Sequence, residues 1–277
     1  MSRIVHISDL HFGREAPELL EPLRKAIDIA KPDVVAVTGD FTQRARPGQF
    51  RAARAFLDNL SAPWVGVPGN HDIPLDIFWL RLLRPFGRYR KYISEDLAPL
   101  WENADLTMQG LNTADPWSWQ RGRVRRGQIR LACEAFSAPD RIHVVLAHHP
   151  FEHQPDTEKT LMKRAPRALD RLAKCNAQLI LSGHLHRWRA EPFLSSQHGA
   201  HMLQVHVGTG LSTRSRGQGN DFAVIDLAAP GEAEVTRMVA HEERFAAEPT
   251  RRFVRNDEGW REEAGPALTG TVRTAPR

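Results

Sequence analysis

Ile4-Val5-His6-Ile7-Ser8-Asp9-Leu10-His11 is the stretch on which the fold turns: a short apolar run that stops on a carboxylate and an imidazole two residues apart. Runs of this length, rich in Val and Ile, read as strands. The arrangement recurs four more times. Val34 to Val37 leads to Gly39-Asp40, and Trp64 to Val67 leads to Gly69-Asn70-His71-Asp72. Val144 to Ala147 leads to His148-His149-Pro150, and Leu179 to Leu181 leads to Gly183-His184-Leu185-His186.

Between these runs the apolar period changes from strand to helix. Leu19, Leu23 and Ile27 recur at four-residue steps within Pro17 to Ala30, and Phe50, Ala53 and Leu57 line one side of Gln49 to Leu60. Pro166 suits the first turn of a helix continuing through Leu169 and Leu172, because proline needs no amide partner there. Alternating strand and helix predicts an α/β fold with a largely parallel central sheet. Further on, Met202 to Val207, Phe222 to Leu227 and Glu234 to Val239 read as consecutive strands joined by Gly- and Pro-containing turns, and so as antiparallel. From about Glu248 the polar sequence reads as a loosely held tail.

In open α/β sheets, ligand sites form outside the carboxyl ends of the strands, so the five clusters are placed to converge on one crevice. Residues two apart in extended chain project to the same side, which lets Asp9 act with His11 and His184 with His186. Gly39, Gly69 and Gly183 each precede a donor, where the backbone must turn tightly. The donors are carboxylate, imidazole and one amide, without thiolate. That set suits Mn, Fe, Zn, Co or Ni and argues against an all-oxygen calcium site. Seven candidate donors exceed what one catalytic zinc takes, so a pair of divalent ions sharing a bridging carboxylate is the economical reading, with Asp40 as the natural bridge.

The 277 residues, 41% of them apolar, describe a globular chain for which one domain is the default. Its start carries no long apolar run behind a basic cap, and no stretch is long enough to span a membrane, which reads as a soluble, unexported protein. Cys133 and Cys175 are too few for a disulfide framework and read as thiols of a reducing cytoplasm. A formal charge of +5 favours an anionic partner such as a phosphate-bearing substrate, without implying nucleic acid.

In order, Asp-x-His, Gly-Asp, Gly-Asn-His-Asp, His and Gly-His-x-His span Asp9 to His186, and together they resemble the calcineurin-like metallophosphoesterase family. The resemblance implies a layered αββα sandwich, with two mixed β-sheets flanked by helices, over residues 1–247. It implies a substrate-shaping insertion over 73–126, and leaves 248–277 as the tail. It also implies ligand sets: Asp9, His11, Asp40 and His186 for one ion, and Asp40, Asn70, His148 and His184 for the other. His71 would stand beside the phosphate to stabilise charge or protonate the leaving oxygen, with Asp72 orienting its imidazole. Two cations roughly 3.5–4 Å apart would activate a bridging water for in-line attack on the phosphoryl group.

Among subfamilies, Gly39-Asp40-Phe41-Thr42 followed by Pro47 and Phe50, and His148-His149-Pro150, resemble the class III cyclic-nucleotide phosphodiesterases and their glycerophosphodiesterase relatives. Gln43-Arg44 replaces an acidic residue common there, a departure that bears on substrate. Enzymes cleaving UDP-diacylglucosamine usually carry Gly-Asn-Arg-Asp, and His71 counts against them. The resemblance therefore implies a phosphodiesterase with a cyclic nucleotide as leading substrate, and leaves open a phospholipid or glycerophosphodiester substrate, a nuclease, or a non-catalytic binding module. Ile73 to Val124 interleaves Phe78, Trp79, Trp117 and Trp119 with arginines; it could stack a base, contact an anionic membrane, or form a solvated face. His149 reads as a neighbour of the site, and His6, His143 and His206 as structural. Arg214 and Arg216 could reach the phosphate or lie in a surface turn.

Overall fold

The apolar runs are continuous because each strand is covered on both faces. Along the second run, Val34 and Ala36 enter one core cluster while Val35 and Val37 enter another. Along the fourth, Val144 and Leu146 share the first cluster, whereas Val145 and Ala147 join a third. Two sheets therefore meet face to face, and each carries helices on its outer face.

The computed structural model describes residues 1–75, 77–153, 157–193, 202–214 and 217–263. The chain begins β1 (Ser2–Ile7), α1 (Leu20–Ala30), β2 (Val34–Val37), α2 (Pro47–Asp58), β3 (Trp64–Gly66). It continues through α3 (Phe78–Leu83), α4 (Gly87–Tyr92), β4 (Leu100–Glu102), β5 (Leu106–Leu111) and α5 (Arg126–Ala135). Then come β6 (Ile142–Ala147), α6 (Ala165–Lys174), β7 (Leu179–Ser182), β8 (Arg189–Pro192) and β9 (Leu203–His206). The last strands are β10 (Asp221–Leu227), β11 (Glu232–His241), β12 (Arg244–Ala247), β13 (Arg251–Asn256) and β14 (Gly259–Glu263).

One sheet has the order β14-β13-β11-β10-β1-β2-β3, with β12 also on β11; the other runs β4-β5-β6-β7-β9-β8. The β1-β2-β3 and β5-β6-β7-β9 pairings are parallel, and the strands outside them pair antiparallel. The αββα sandwich with two mixed sheets stands as expected.

Four expectations change. The late strands are not one antiparallel run: Leu203–His206 pairs parallel with β7 in the second sheet, while β10 and β11 pair with each other in the first. Strand β8, short and polar, supplies the intervening edge and gives no apolar signal. The tail expected from Glu248 is ordered through Glu263, where β13 and β14 form a hairpin that buries Phe253 and Trp260 in the inter-sheet core. Residues 264–277 lie outside the described residues. The expected insertion contains β5, a fully buried parallel strand of the second sheet, so it is not purely an excursion from the core. Finally, Cys133 and Cys175 form a disulfide rather than two thiols. They lie far apart in sequence but come together because α5 and α6 pack side by side on the second sheet. Among the described residues, no helix is long and apolar enough to cross a membrane.

Candidate metal centre

Every expected donor stands where a strand leaves its sheet. Asp9 and His11 follow β1, Asp40 follows β2, and Asn70 and His71 belong to a 3-10 turn (Asn70–Asp72) after β3. His148 follows β6, and His184 and His186 follow β7. The backbone at these exits is unusual. Asp9 (φ 52°), His11 (49°), Asp40 (50°), His184 (71°) and His186 (55°) all occupy the left-handed region. Each such residue costs roughly 1–2 kcal/mol, and Asp and His are among the types that tolerate it. Strain concentrated in this way marks a site whose geometry the fold enforces. Gly39 (φ 89°) is required twice over, since a Cβ there would lie 2.8 Å from both the Gly69 amide and the His148 ring. At Gly183 a Cβ would collide with the Ser8 hydroxyl and the Asp9 carboxylate.

The donors from both sheets come together and are buried. His186 Nε2 lies 3.1 Å from Asp9 Oδ1 and 3.2 Å from His11 Nε2. His11 Nε2 is 3.5 Å from Asp9 Oδ1 and 3.8 Å from Asp40 Oδ2. On the other side of Asp40, His148 Nε2 is 3.4 Å from Asp40 Oδ2, 3.2 Å from Asn70 Oδ1 and 3.3 Å from His184 Nδ1. Asp40 stands between the two groups.

Several observations fit cations at the centre of these groups. Ligand atoms about 2.1 Å from a tetrahedral or octahedral ion stand roughly 3.0–3.4 Å apart, close to the 3.1–3.8 Å between these nitrogens and oxygens. Asp9 Oδ1 and His11 Nδ1 are buried without a hydrogen-bond partner among the described residues, a cost that a bound cation would offset at Asp9. Three-residue sets able to hold an ion include Asp9-His11-His186 and Asp9-Asp40-His148. A set of His148, His149 and His184 also occurs. His149, however, uses Nδ1 on the Thr113 hydroxyl (2.9 Å) and Nε2 on the Gln120 carbonyl (3.0 Å), which leaves neither nitrogen for a metal.

Electrostatics point the same way. Burial works to raise the Asp9 and Asp40 carboxyls, but the surrounding imidazoles hold both below the usual carboxylate range. Burial likewise disfavours a charged His148, yet Asp40 and Asp9 pull its pKa up to about 9. Carboxylates that favour a proton on a fully buried imidazole would equally favour divalent ions in the proton's place.

The imidazoles are oriented mainly by main-chain carbonyls, which side-chain reading does not reveal. His148 Nδ1–H donates to Thr38 O (2.7 Å), His71 Nδ1–H to Gln43 O (2.8 Å), and His186 Nδ1–H to Arg214 O (3.3 Å). In the neutral ring each bond leaves Nε2 as the free lone pair. Asp72 therefore does not orient His71, contrary to expectation. It accepts from the amides of Gly69 (2.9 Å), Thr42 (3.0 Å) and Phe41 (3.3 Å) and from the Thr42 hydroxyl (3.0 Å), so it ties the loop after β2 to the turn after β3. Burial, reinforced by the Asp40 charge, raises its pKa to about 7. His71 is held by its own amide on Asp40 Oδ1 (2.8 Å), and burial lowers its pKa.

Lys159 was not legible in sequence, because it lies in a segment without a motif. Its ammonium donates to His184 O (2.9 Å) and lies 3.2 Å from His184 Nε2. His6 bonds the Thr38 hydroxyl, His143 bonds Asn176 O and His206 bonds Gln204, all structural contacts as expected. In the 73–126 segment, Tyr89 is buried with its hydroxyl on Gly66 O, while Phe78, Trp79, Trp117 and Trp119 are exposed. Arg216, His198 and His201 lie outside the described residues.

Comparison with known proteins agrees with this geometry. Residues 2–188 match the family model described as calcineurin-like phosphoesterase. A cAMP/cGMP dual specificity phosphodiesterase of Mycobacterium tuberculosis is 28% identical over 209 residues, covering 66% of this chain and 61% of that protein. A probable glycerophosphodiester phosphodiesterase of Arcobacter nitrofigilis is 27% identical over 164 residues, covering 57% and 58%. A UDP-2,3-diacylglucosamine pyrophosphatase of Chlamydia muridarum is 37% identical over 73 residues, 25% of this chain and 22% of that one, despite the His71 departure noted above. The chain thus spans about three-fifths of the first of these relatives and less of the others. A purple acid phosphatase from yellow lupin superposes with a TM-score of 0.62 at 14% identity, covering 90% of this chain and 53% of that one, which supports the fold. With a family match over most of its length and the five donor blocks gathered at one buried centre, the chain belongs to the calcineurin-like phosphoesterase family.

Proposed function

We propose that the protein is a binuclear metal-dependent phosphodiesterase acting on small phosphodiesters, with a cyclic nucleotide as the first substrate to test. The observation that carries this reading is the double cluster: two groups of buried donors, each drawing on both sheets, that share Asp40. Asp9, His11, Asp40 and His186 would hold one divalent ion, and Asp40, Asn70, His148 and His184 the other. A pair of Mn, Fe or Zn ions, with Co or Ni as further options, would supply Lewis acidity and lower the pKa of water there.

The chain's own residues do the rest. Thr38 and Arg214 fix the imidazoles of His148 and His186 through main-chain carbonyls, which sets the tautomer that presents Nε2. His71 stands edge-on to His11, with ring centroids 4.9 Å apart and Nε2 free. When protonated it can donate from Nε2 to a leaving oxygen, and the burial that lowers its pKa makes it a stronger acid. Asp72 holds the two loops on which Asp40 and Asn70 ride.

Relatives named as cyclic-nucleotide and glycerophosphodiester phosphodiesterases support the reaction class. Elemental analysis of active protein, together with turnover of cyclic AMP, bis(p-nitrophenyl) phosphate, single-stranded DNA and phospholipid, tests the proposal. Two equivalents of metal and hydrolysis of the small diesters are expected. Activity in metal-free protein would refute the mechanism, and exclusive phospholipid cleavage would refute the substrate class. The exposed Phe78, Trp79, Trp117 and Trp119 give the phospholipid reading its one structural argument.

A further inference from the structure

Beside the metal centre lies a 530 Å³ pocket lined by Arg14, Arg44, Arg46 and Arg214 together with Gln43, Gln49 and Gly13. Four arginines line it, and among the described residues no carboxylate does. Glu15, next along the chain, spends its carboxylate on the Gly13 amide.

The pocket is built by loops that hold one another. Phe12 donates to Phe41 O (3.0 Å), Gln43 returns a bond to Phe12 O (3.0 Å), and Thr213 donates to Arg14 O (2.9 Å). The segments following β1, β2 and β9 are thereby fixed as one rim. At the start of α2, the Gln49 side chain accepts from the Arg44 amide (2.9 Å) and completes the wall.

This rim is also a wall of the metal centre. Gln43 gives its carbonyl to His71, Arg214 gives its carbonyl to His186, and the Arg214 guanidinium donates to Gln43 Oε1 at 3.3 Å. The Arg214 charge is close enough to disfavour protonation of His71. The pocket therefore adjoins the side of the centre on which His71 and His186 stand.

We propose that this pocket binds a second phosphate of the substrate, so that the preferred diester is a nucleotide-type molecule carrying a further phosphate group beyond the one cleaved. The inference rests on the phosphodiesterase reading and narrows its substrate class. A simple diester carries one negative charge, and the ions at the centre answer it. The guanidinium groups of Arg14, Arg44 and Arg214 add positive charge beyond what such a substrate needs. A terminal phosphate brings a charge of about −1.5 to −2 and three acceptor oxygens, a match for arginine's planar fork.

Calorimetric titration of the metal-loaded full chain reads the pocket without turnover. Its ligands are thymidine 5′-monophosphate, thymidine 5′-diphosphate and thymidine 3′,5′-bisphosphate. At least one doubly phosphorylated ligand should bind about tenfold tighter than the monophosphate. In the Arg14→Gln/Arg44→Gln double variant that ratio should fall to within about twofold, and the corresponding lysine variant should keep part of it. Wild-type affinities within about twofold of one another would overturn the proposal. So would tight binding of a single-stranded oligonucleotide by a protein that treats all three nucleotides alike, since that describes a backbone-tracking groove. Failure to cleave bis(p-nitrophenyl) phosphate would instead count against the phosphodiesterase reading, and is read out separately from the affinity ratio.

Discussion

The two histidines of the second donor group, His148 and His184, are neighbours in space and receive opposite treatment from the fold. His148 donates Nδ1–H to a main-chain carbonyl, which leaves Nε2 as a lone pair aimed at Asn70 and Asp40. His184 presents Nδ1 to the same place, but its Nε2 faces the Lys159 ammonium. A nitrogen accepting from lysine carries no hydrogen, so the proton of a neutral His184 sits on Nδ1, the atom a metal would need. One imidazole is preset for a cation and the other against it. Across Asp40, His186 resembles His148, backed by the Arg214 carbonyl, while His11 Nδ1 has no hydrogen-bond partner among the described residues. The cluster is therefore not uniformly preorganised, and the two sides of Asp40 should differ in how firmly they hold an ion.

The largest effect comes from removing the residue both sides share. On the proposed assignment, Asp40→Ala should reduce bound metal from two equivalents to one or fewer and lower kcat/KM by about 10³-fold or more, because shared charge stabilisation of several kcal/mol is lost. Metal analysis alongside kinetics checks this, and full metal content would break the bridging assignment. His71→Ala should separate metal binding from proton handling. Both ions should remain while kcat falls about 10²-fold or more, with KM changed much less. Loss of metal in that variant would move His71 into the ligand set and erase the distinction between the two sides.

What the sequence disclosed follows the same division. Asp9, His11, Asp40, Asn70, His148, His184 and His186 were legible because each stands immediately after a run that must be a strand, and strand ends converge. The strained backbone beneath five of them carried only a faint signal, in the preceding glycines and in the Asp and His types themselves. The carbonyls of Thr38, Gln43 and Arg214 carried none, since any residue supplies a carbonyl. Asp72 was misread through adjacency: it follows His71 in the chain, but the 3-10 turn aims its carboxylate back at Phe41 and Thr42. In the fold, the buried parallel strands announced themselves by apolar runs. Strand β8 and the β13–β14 hairpin are polar edges that bury only a few side chains, so composition alone made the hairpin look like a tail.

Lys159 offers the smallest effect and the sharpest test of the contrast. Two influences compete at His184. The bond from the ammonium to the His184 carbonyl steadies the loop, whereas its contact with Nε2 selects the wrong tautomer and adds a positive charge beside an incoming cation. Lysine can keep the carbonyl bond while swinging off the ring, so the loop gains little from the second contact, and the tautomer and charge terms should dominate. Lys159→Met, which keeps an apolar stem of similar reach, should therefore tighten the ion at the His148–His184 side by about tenfold, within the range that outer ligand contacts command. The ion on the Asp9 side should be unchanged. Stepwise competition against a chelator resolves the two affinities. Weakened binding on the His148–His184 side would mean that Lys159 serves chiefly as a brace for the His184 loop, and that the fold prepares both imidazoles of the pair after all.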